Sequence, residues 1–253
     1  MRAGGAFAGA LVVAFVLLPL ASLVALERPG DLGAAFGDAG VRGAIALSLA
    51  AAAVTALLAA LVGVPLAYGL ARREFPGKRL VEAIVDLPLA VPHTVAGIAL
   101  LFVFGRTGIV GGPLEHVAGI RFWGTGAGVV VAMLYVSLPY TIAASRLAFE
   151  GIDPRLERVA RTLRAAPWRV MLRITLPLAW RGIASGMTLT FARAVSEFGA
   201  VIVLAYFPMT APVKIYDLFL QGGLRSSAAA STLLLAVVLA IFIGLRALLR
   251  PAR

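Results

Sequence analysis

The chain has 253 residues, of which 61% are hydrophobic and only 14% are charged, and it carries a formal net charge of +11. A water-soluble domain needs roughly a quarter of its residues charged to clothe its surface, so the composition excludes that class and specifies an integral membrane protein. The positive excess does not mark a nucleic-acid groove, because the basic residues sit in short connections between apolar runs, where they act as orientation signals and lipid contacts.

Arg2 precedes an apolar run over residues 6–26. The run is longer than a signal-peptide core and lacks a small-residue cleavage site, so it reads as a first membrane helix with a cytoplasmic N-terminus. Residues 27–42 balance acids against arginines, as an outside loop does. A second span over 43–70 exceeds the roughly 20 residues that cross a bilayer, which predicts a tilt or a kink near Pro65. Arg72, Arg73, Lys78 and Arg79 place the next loop inside.

The third span, 80–104, collects Asp86, Pro88, Pro92, His93, Thr94 and Gly97. Prolines in a membrane helix free carbonyls that must be satisfied elsewhere, so these are either simple kinks or the lining of a pathway. An outside loop over 105–124 leaves His116 in solvent, and a fourth span over 127–147 contains Ser137, Pro139 and Thr141. A cytoplasmic loop of about 147–182 leads to a fifth span, 183–206, where Gly182, Ser185, Gly186 and Gly199 permit close helix packing. After an outside loop over 207–225, a sixth span over 228–248 ends at Arg246, Arg250 and Arg253. The pattern predicts an all-α protein of six membrane helices with both termini inside. It forms one domain, 1–253, without an internal repeat.

Two features carry candidate chemistry. Arg193 and Glu197 lie four positions apart inside the fifth span, where an ionisable group must face protein or water. They form either a structural ion pair or part of a translocation path. His93 is either a helix contact or a ligand. With Thr94, Ser137, Thr141 and Ser196 it could line a path that passes an anion without holding it tightly. There is no cysteine, and two histidines are too few for a histidine metal site. No GxxxxGK[ST] run cradles phosphate, so any ATP that drives this protein binds another chain.

The cytoplasmic loop is the longest polar stretch. Arg155, Arg158, Arg161, Arg164, Arg169, Arg173 and Arg181 stand against Asp153 and Glu157. Leu156, Val159, Ala160, Leu163 and Ala166 recur at helical spacing, with Asp153 as N-cap and Pro154 at the first helical position. Pro167 permits a turn, and Trp168 opens a second helical piece that Pro177 interrupts. The pattern alone fits a helix resting on anionic lipid as well as one that docks on a partner.

This segment resembles the coupling loop of ABC importer permeases, whose signature runs Glu-Ala-Ala, three residues, Gly, nine residues, Ile, one residue, Leu-Pro. Aligned on Ile174, Leu176 and Pro177, the opening triplet falls on Arg158, Val159 and Ala160, and the glycine falls on Arg164. Glu157, one position earlier, is the candidate substitute for the missing acid. The stretches LPLAVPHTVAGIALLF (Leu87–Phe102) and FARAVSEFGAVIVLAYFPMTAPVKIYDLF (Phe191–Phe219) resemble molybdate and tungstate importer permeases, with sulfate permeases as relatives.

The resemblance implies a type I importer fold in the cell (inner or cytoplasmic) membrane and alternating access for a tetrahedral oxyanion. It implies a homodimer of this chain, two cytoplasmic ATPases that carry the ATP and magnesium, and an external binding protein. No cofactor or catalysis is implied on this chain itself. It assigns ATPase coupling to Glu157, Arg158, Val159, Ala160, Arg161 and Leu163, and onward to Arg164, Ala165, Ala166, Pro167 and Trp168. By the same resemblance Ser196, Glu197 and Gly199 of the fifth span lie beside the path or gate, and Pro92, His93, Thr94, Ser137, Thr141 and Arg193 join them as candidate lining on the residue chemistry given above. A cytoplasmic regulatory domain of the kind some relatives carry is not expected.

Two other classes compete. An ion-coupled secondary transporter could use Glu197 or Asp86, but the missing internal repeat weighs against it, as does a coupling loop that it would not need. An intramembrane protease lacks a nucleophile motif around Ser185 or Ser196, and paired intramembrane aspartates are absent.

Overall fold

A computed structural model describes residues 2–25 and 27–249, and the regular elements among them are helical throughout. Hydrocarbon offers no water to backbone N–H and C=O groups, and a helix satisfies them within one segment. In chain order the helices are α1 (Arg2–Ala25), α2 (Pro29–Gly37), α3 (Ala39–Arg72), α4 (Lys78–Ala90), α5 (His93–Phe104) and α6 (Gly111–Ala118). They continue with α7 (Gly126–Glu150), α8 (Pro154–Thr162), α9 (Pro167–Val170), a π-helical turn (Met171–Thr175), α10 (Leu176–Val195), α11 (Gly199–Leu204) and α12 (Ala211–Leu249).

The framework is a trio in which α3, α7 and α10 pack against one another, with α5 and α11 paired beside it. Lipid tails are as apolar as leucine, so helices associate through close van der Waals fit rather than hydrophobic expulsion. The buried face of α3 accordingly carries Ala52, Ala56, Ala59, Gly63 and Ala67. On α10, Gly186 lets the backbone of α7 approach, since a Cβ there would lie 2.9 Å from Ala144 Cβ and 3.1 Å from Thr141 Cα. Ser185, grouped with the packing residues on sequence grounds, is instead exposed. Large apolar side chains such as Leu57, Leu61, Phe102 and Ile243 point outward, the arrangement of a protein whose solvent is lipid.

Two apolar clusters divide the interior. One, around Met133, Val136, Leu100, Val201 and Leu204, joins α5, α7 and α11. The other, around Leu70, Ile142, Phe149, Ile152 and Ile183, gathers the ends of α3 and α7 and the first half of α10 next to α8.

Several predicted boundaries move. Among the described residues, three helices are long and apolar enough to cross a membrane: α3, α7 and α12 over Ala211–Leu245. The predicted third span is not one rod. It is α4 and α5, bent by 113° at Val91–Pro92, because Pro92 supplies no N–H and disfavours helix in the residue before it. The predicted fifth span starts earlier, at Leu176, and breaks at Ser196–Phe198 before α11. Pro177 sits within the continuous helical run from Pro167 to Val195, directly after the π-helical turn, so its interruption is a widened turn rather than a chain break. The loops predicted to lie outside also hold structure: α2, set at 84° to α1, lies within 27–42; α6 lies within 105–124; and α12 begins within 207–225, with a non-helical break at Gly223. Leu26, Arg250 and Arg253 lie outside the described residues, as do the side chains of Arg2 and Arg246.

Candidate functional site

Helix α8 forms as its sequence predicts. Asp153 Oδ1 accepts the Arg155 N–H at 2.9 Å and Pro154 opens the first turn. At its end, the Ala165 N–H bonds the Ala160 carbonyl at 3.1 Å and the Arg164 N–H bonds the Arg161 carbonyl at 3.0 Å. This is a Schellman closure, which requires a left-handed residue at its turn. Arg164 is that residue, with φ 60°, among the described residues the one non-glycine at positive φ. It is the position where the coupling signature has glycine. Its left-handed backbone is one that glycine adopts without a Cβ penalty.

The outward face of α8 and α9 is exposed and mixed. Leu163 is 78% exposed, Val159 and Trp168 are 60% exposed, and the Arg169 guanidinium lies 5.2 Å from the Trp168 ring centre. Arg158, Arg161, Arg164 and Pro167 are exposed with them, while Ala160, Ala165 and Ala166 are half-buried.

Glu157 does not share this face. It is 5% exposed and turned inward, away from where a docking acid would stand. Its Oε1 accepts from Arg72 Nε at 2.9 Å and Thr175 Oγ1 at 3.2 Å, and its Oε2 accepts from the Tyr68 hydroxyl at 3.0 Å. Arg72 also donates to the Ile152 carbonyl at 3.0 Å. Tyr68, Arg72 and Thr175 were not candidates on sequence grounds. Arg72 reads only as an inside-loop charge, and the 85 positions between it and Glu157 leave no spacing to detect.

A second ionic cluster sits where two helices break. Glu197 is 1% exposed and lies in the break between α10 and α11. Its Oε2 accepts from Arg193 Nη2 at 2.6 Å, and its Oε1 accepts the Ala200 N–H at 2.8 Å, capping the first turn of α11. Arg193 Nη2 also lies 2.7 Å from His93 Nε2, and because arginine only donates, that ring nitrogen is the acceptor. Arg193 Nη1 reaches Ser196 Oγ at 3.3 Å. His93 opens α5, and Gly199 opens α11. A Cβ on Gly199 would lie 2.7 Å from His93 Cβ, and one on Gly97 would lie 2.8 Å from Val203 Cβ, so α5 and α11 run side by side in close contact.

The structure thus brings together His93, Arg193, Ser196, Glu197 and Gly199, with Pro92 and Thr94 exposed at the start of α5. It does not join Ser137 and Thr141 to them. Both are fully buried between α7 and α10, where Thr141 Oγ1 lies 2.7 Å from Thr190 Oγ1 and Ser137 Oγ donates to the Met133 carbonyl at 2.6 Å. Thr190, which also donates to the Ser137 carbonyl at 3.0 Å, is the partner that sequence spacing did not indicate. His116 is exposed on α6. No group of three or more metal-ligating side chains occurs among the described residues.

Comparison with known proteins concerns the chain as a whole. Residues 59–253 match the family model described as the binding-protein-dependent transport system inner membrane component. The chain is 43% identical over 241 residues to the molybdate/tungstate transport system permease protein of Thermococcus kodakarensis, covering 94% of this chain and 92% of that one. It is 41% identical over 190 residues to the molybdenum transport system permease protein of Escherichia coli, covering 74% and 83%. Among solved structures, a chain of a bacterial ABC transporter for import of the acidic polysaccharide alginate superimposes with a TM-score of 0.73 at 19% identity, covering 99% of both chains. A chain of the methionine ABC transporter in an inward-facing conformation gives 0.67 at 19% identity, covering 83% and 94%. At such identity these two likenesses concern the fold.

Proposed function

The chain belongs to the family of binding-protein-dependent transport system inner membrane components, and on that premise we propose that it is the permease subunit of an ATP-driven importer of a tetrahedral oxyanion, tungstate or molybdate. The observation that carries the reading is near full-length similarity to molybdate/tungstate permeases, 43% and 42% identical over 94% and 97% of this chain. The capped α8 with its exposed face, placed at the head of α10, supports the same reading from geometry.

In this proposal the protein is a multi-pass component of the cytoplasmic (inner) membrane with six crossings and both termini inside. Two copies of the chain work with two cytoplasmic ATPases and an external binding protein. ATP and magnesium belong to the ATPases, and this chain holds no cofactor and catalyses no reaction. The exposed face from Arg158 to Trp168 docks on the ATPase. Closure of the ATPases pushes α8 and reorients the helices between inward and outward openings. The break cluster of His93, Arg193, Ser196 and Glu197, with Pro92, Thr94 and Gly199, lies at the path or its gate. There Glu197 neutralises Arg193, so an oxyanion meets donors without a full unpaired positive charge and is held weakly enough to leave. Ser137 and Thr141 pack the helices behind it.

A sulfate transporter is the alternative within the fold. The chain is 36% identical over 200 residues to a probable sulfate transport system permease protein of Chlorokybus atmophyticus, covering 76% and 70%. The deciding experiment is uptake of labelled tungstate into vesicles holding this chain, its ATPase and its binding protein. ATP-dependent uptake that molybdate displaces and sulfate does not supports the reading. Uptake that follows an ion gradient without the ATPase overturns it, and displacement by sulfate first reassigns the substrate.

A further inference from the structure

The position of Glu157 separates two roles that the linear signature merges. Its carboxylate lies on the face of α8 opposite the exposed docking surface and is closed off by the protein. Three of its partners come from outside α8: Arg72 and Tyr68 from the last turns of α3, and Thr175 from the π-helical turn that leads into α10. Arg161 of α8 stands 4.0 Å away as a fourth, weaker neighbour. Arg72 uses its other arm on the Ile152 carbonyl, in the connection between α7 and α8. Tyr68 meets Phe149 edge-on at 5.4 Å, and the cluster of Leu70, Ile142, Ile152 and Ile183 packs beneath. One carboxylate therefore ties the end of α3 to the body of α8 and the entry to α10, and its partners Arg72 and Tyr68 extend the contact to Ile152 and to Phe149 at the end of α7.

We infer that Glu157 is a positioning residue that fastens the coupling helix to α3 and α10, so that a push on α8 moves these helices as one body instead of bending the connections between them. A hydrogen bond to a charged group is among the strongest side-chain links, and an arginine stripped of a buried counter-charge strongly disfavours the altered state. Such a joint resists sliding of α8 along α3. The π-helical turn seats Thr175 at the carboxylate: the Leu176 N–H bonds the Met171 carbonyl five residues back, a wider turn than the α-helix makes. At the other end of α10 the corresponding carboxylate, Glu197, is bonded to groups of its own segment, Arg193 and the Ala200 N–H, with His93 of α5 beside them. There the chain is broken at Val91–Pro92 and Ser196–Phe198. Motion delivered as a rigid displacement at the coupling end would be taken up at those breaks. This inference rests on the permease reading of the preceding subsection.

The test uses the whole transporter in liposomes. Glu157→Gln keeps the shape and one acceptor but removes the charge that holds Arg72. Assembly and basal ATP hydrolysis are expected to remain near wild type, while binding-protein-dependent uptake per ATP hydrolysed falls about tenfold, the scale of a broken coupling between sites. Arg72→Lys, which keeps the charge and loses the second arm to Ile152, should fall between the two. A readout independent of activity comes from spin labels at Arg73→Cys and Arg155→Cys, both exposed, in a chain that has no cysteine of its own. In the otherwise wild-type transporter their separation should be the same with and without trapped nucleotide, and Glu157→Gln should broaden it. Wild-type uptake per ATP in Glu157→Gln overturns the inference and leaves the permease reading intact. So does a separation in the unmutated joint that changes by more than one helical turn, about 5 Å, on trapping. If Glu157→Gln does not assemble, that separation in the unmutated joint decides alone. Absence of ATP-driven uptake by the wild type removes the permease reading and this inference with it.

Discussion

A glutamate–arginine pair stands beside each end of helix α10, Glu157 with Arg72 at its start and Glu197 with Arg193 at its finish, and the two pairs differ in what they connect. At its start, Glu157 takes hydrogen bonds from α3 and from the π-helical turn, so the pair links separate elements. About 20 residues beyond Thr175, roughly 30 Å along the helix, Glu197 takes its cation from Arg193 four positions back in the same segment and spends its other oxygen on the Ala200 N–H. That pair shapes a break between the consecutive helices α10 and α11 and meets α5 through His93. The same two side-chain types thus make a joint in one place and a stabilised discontinuity in the other. Partner topology, rather than burial or distance, distinguishes them, since both glutamates are buried and both pairs are shorter than 3 Å.

The sharpest way to break this comparison is Glu197→Ala. It strips Arg193 of its counter-charge and α11 of its cap, and breaking a buried pair from one side costs about 3–5 kcal/mol. Thermal unfolding of the purified complex should show the loss. A wild-type midpoint would mean that the break is held by packing alone. Gly199→Val comes next. Its added carbons would drive into His93 Cβ and the start of α5, and overpacking of this kind costs about 1–3 kcal/mol. Because the damage is confined to the far end of α10, uptake should fall while co-purification with the ATPase persists; loss of the ATPase would show that the two ends are not separable.

Smaller effects sharpen the picture of the coupling end. Arg164→Gly relieves a left-handed side chain at the Schellman turn, and part of that gain is returned through the looser unfolded chain, so stabilisation of about 1 kcal/mol or less is expected. Destabilisation would mean that the arginine side chain makes a contact worth more than the strain. The smallest effect belongs to Asp38, which caps α3 away from both pairs by accepting from the Gly40 and Val41 N–H groups. Those bonds, the one from Val41 foremost, hold its carboxyl below the usual range. A depressed carboxyl contributes fully above its unfolded value, near 4, and the contribution disappears as pH falls through the folded value. Asp38→Ala should therefore cost about 0.5 kcal/mol near neutral pH, since the cap is solvent-exposed, and nothing in strong acid. Equal losses at both pH values, read from unfolding midpoints, would assign the effect to something other than the cap.

Part of this was legible in the linear chain. The apolar runs that become α3 and α7, the Asp153–Pro154 start of α8 and the Arg193–Glu197 spacing were all readable, because each depends on residues within a turn or on local hydropathy. The breaks were only half legible. Pro92 signalled an interruption, but the 113° turn follows from α5 settling against α11 through Gly97 and Gly199, a contact between segments about 100 residues apart. Arg164 looked like a departure from a glycine signature, and only its backbone angle shows that the turn survives the exchange.

The sequence by itself determined the class, a helical membrane protein with a basic amphipathic helix in its longest polar loop, because hydropathy, charge placement and capping act over a few residues and need no partner. The tertiary structure decided which way each ionisable group faces. Glu157 turns inward because Arg72 and Tyr68, far off in the chain, meet it there, and His93 joins Arg193 across 100 positions. A buried charge goes where its counter-charge and donors are, and only the packed helices specify where that is.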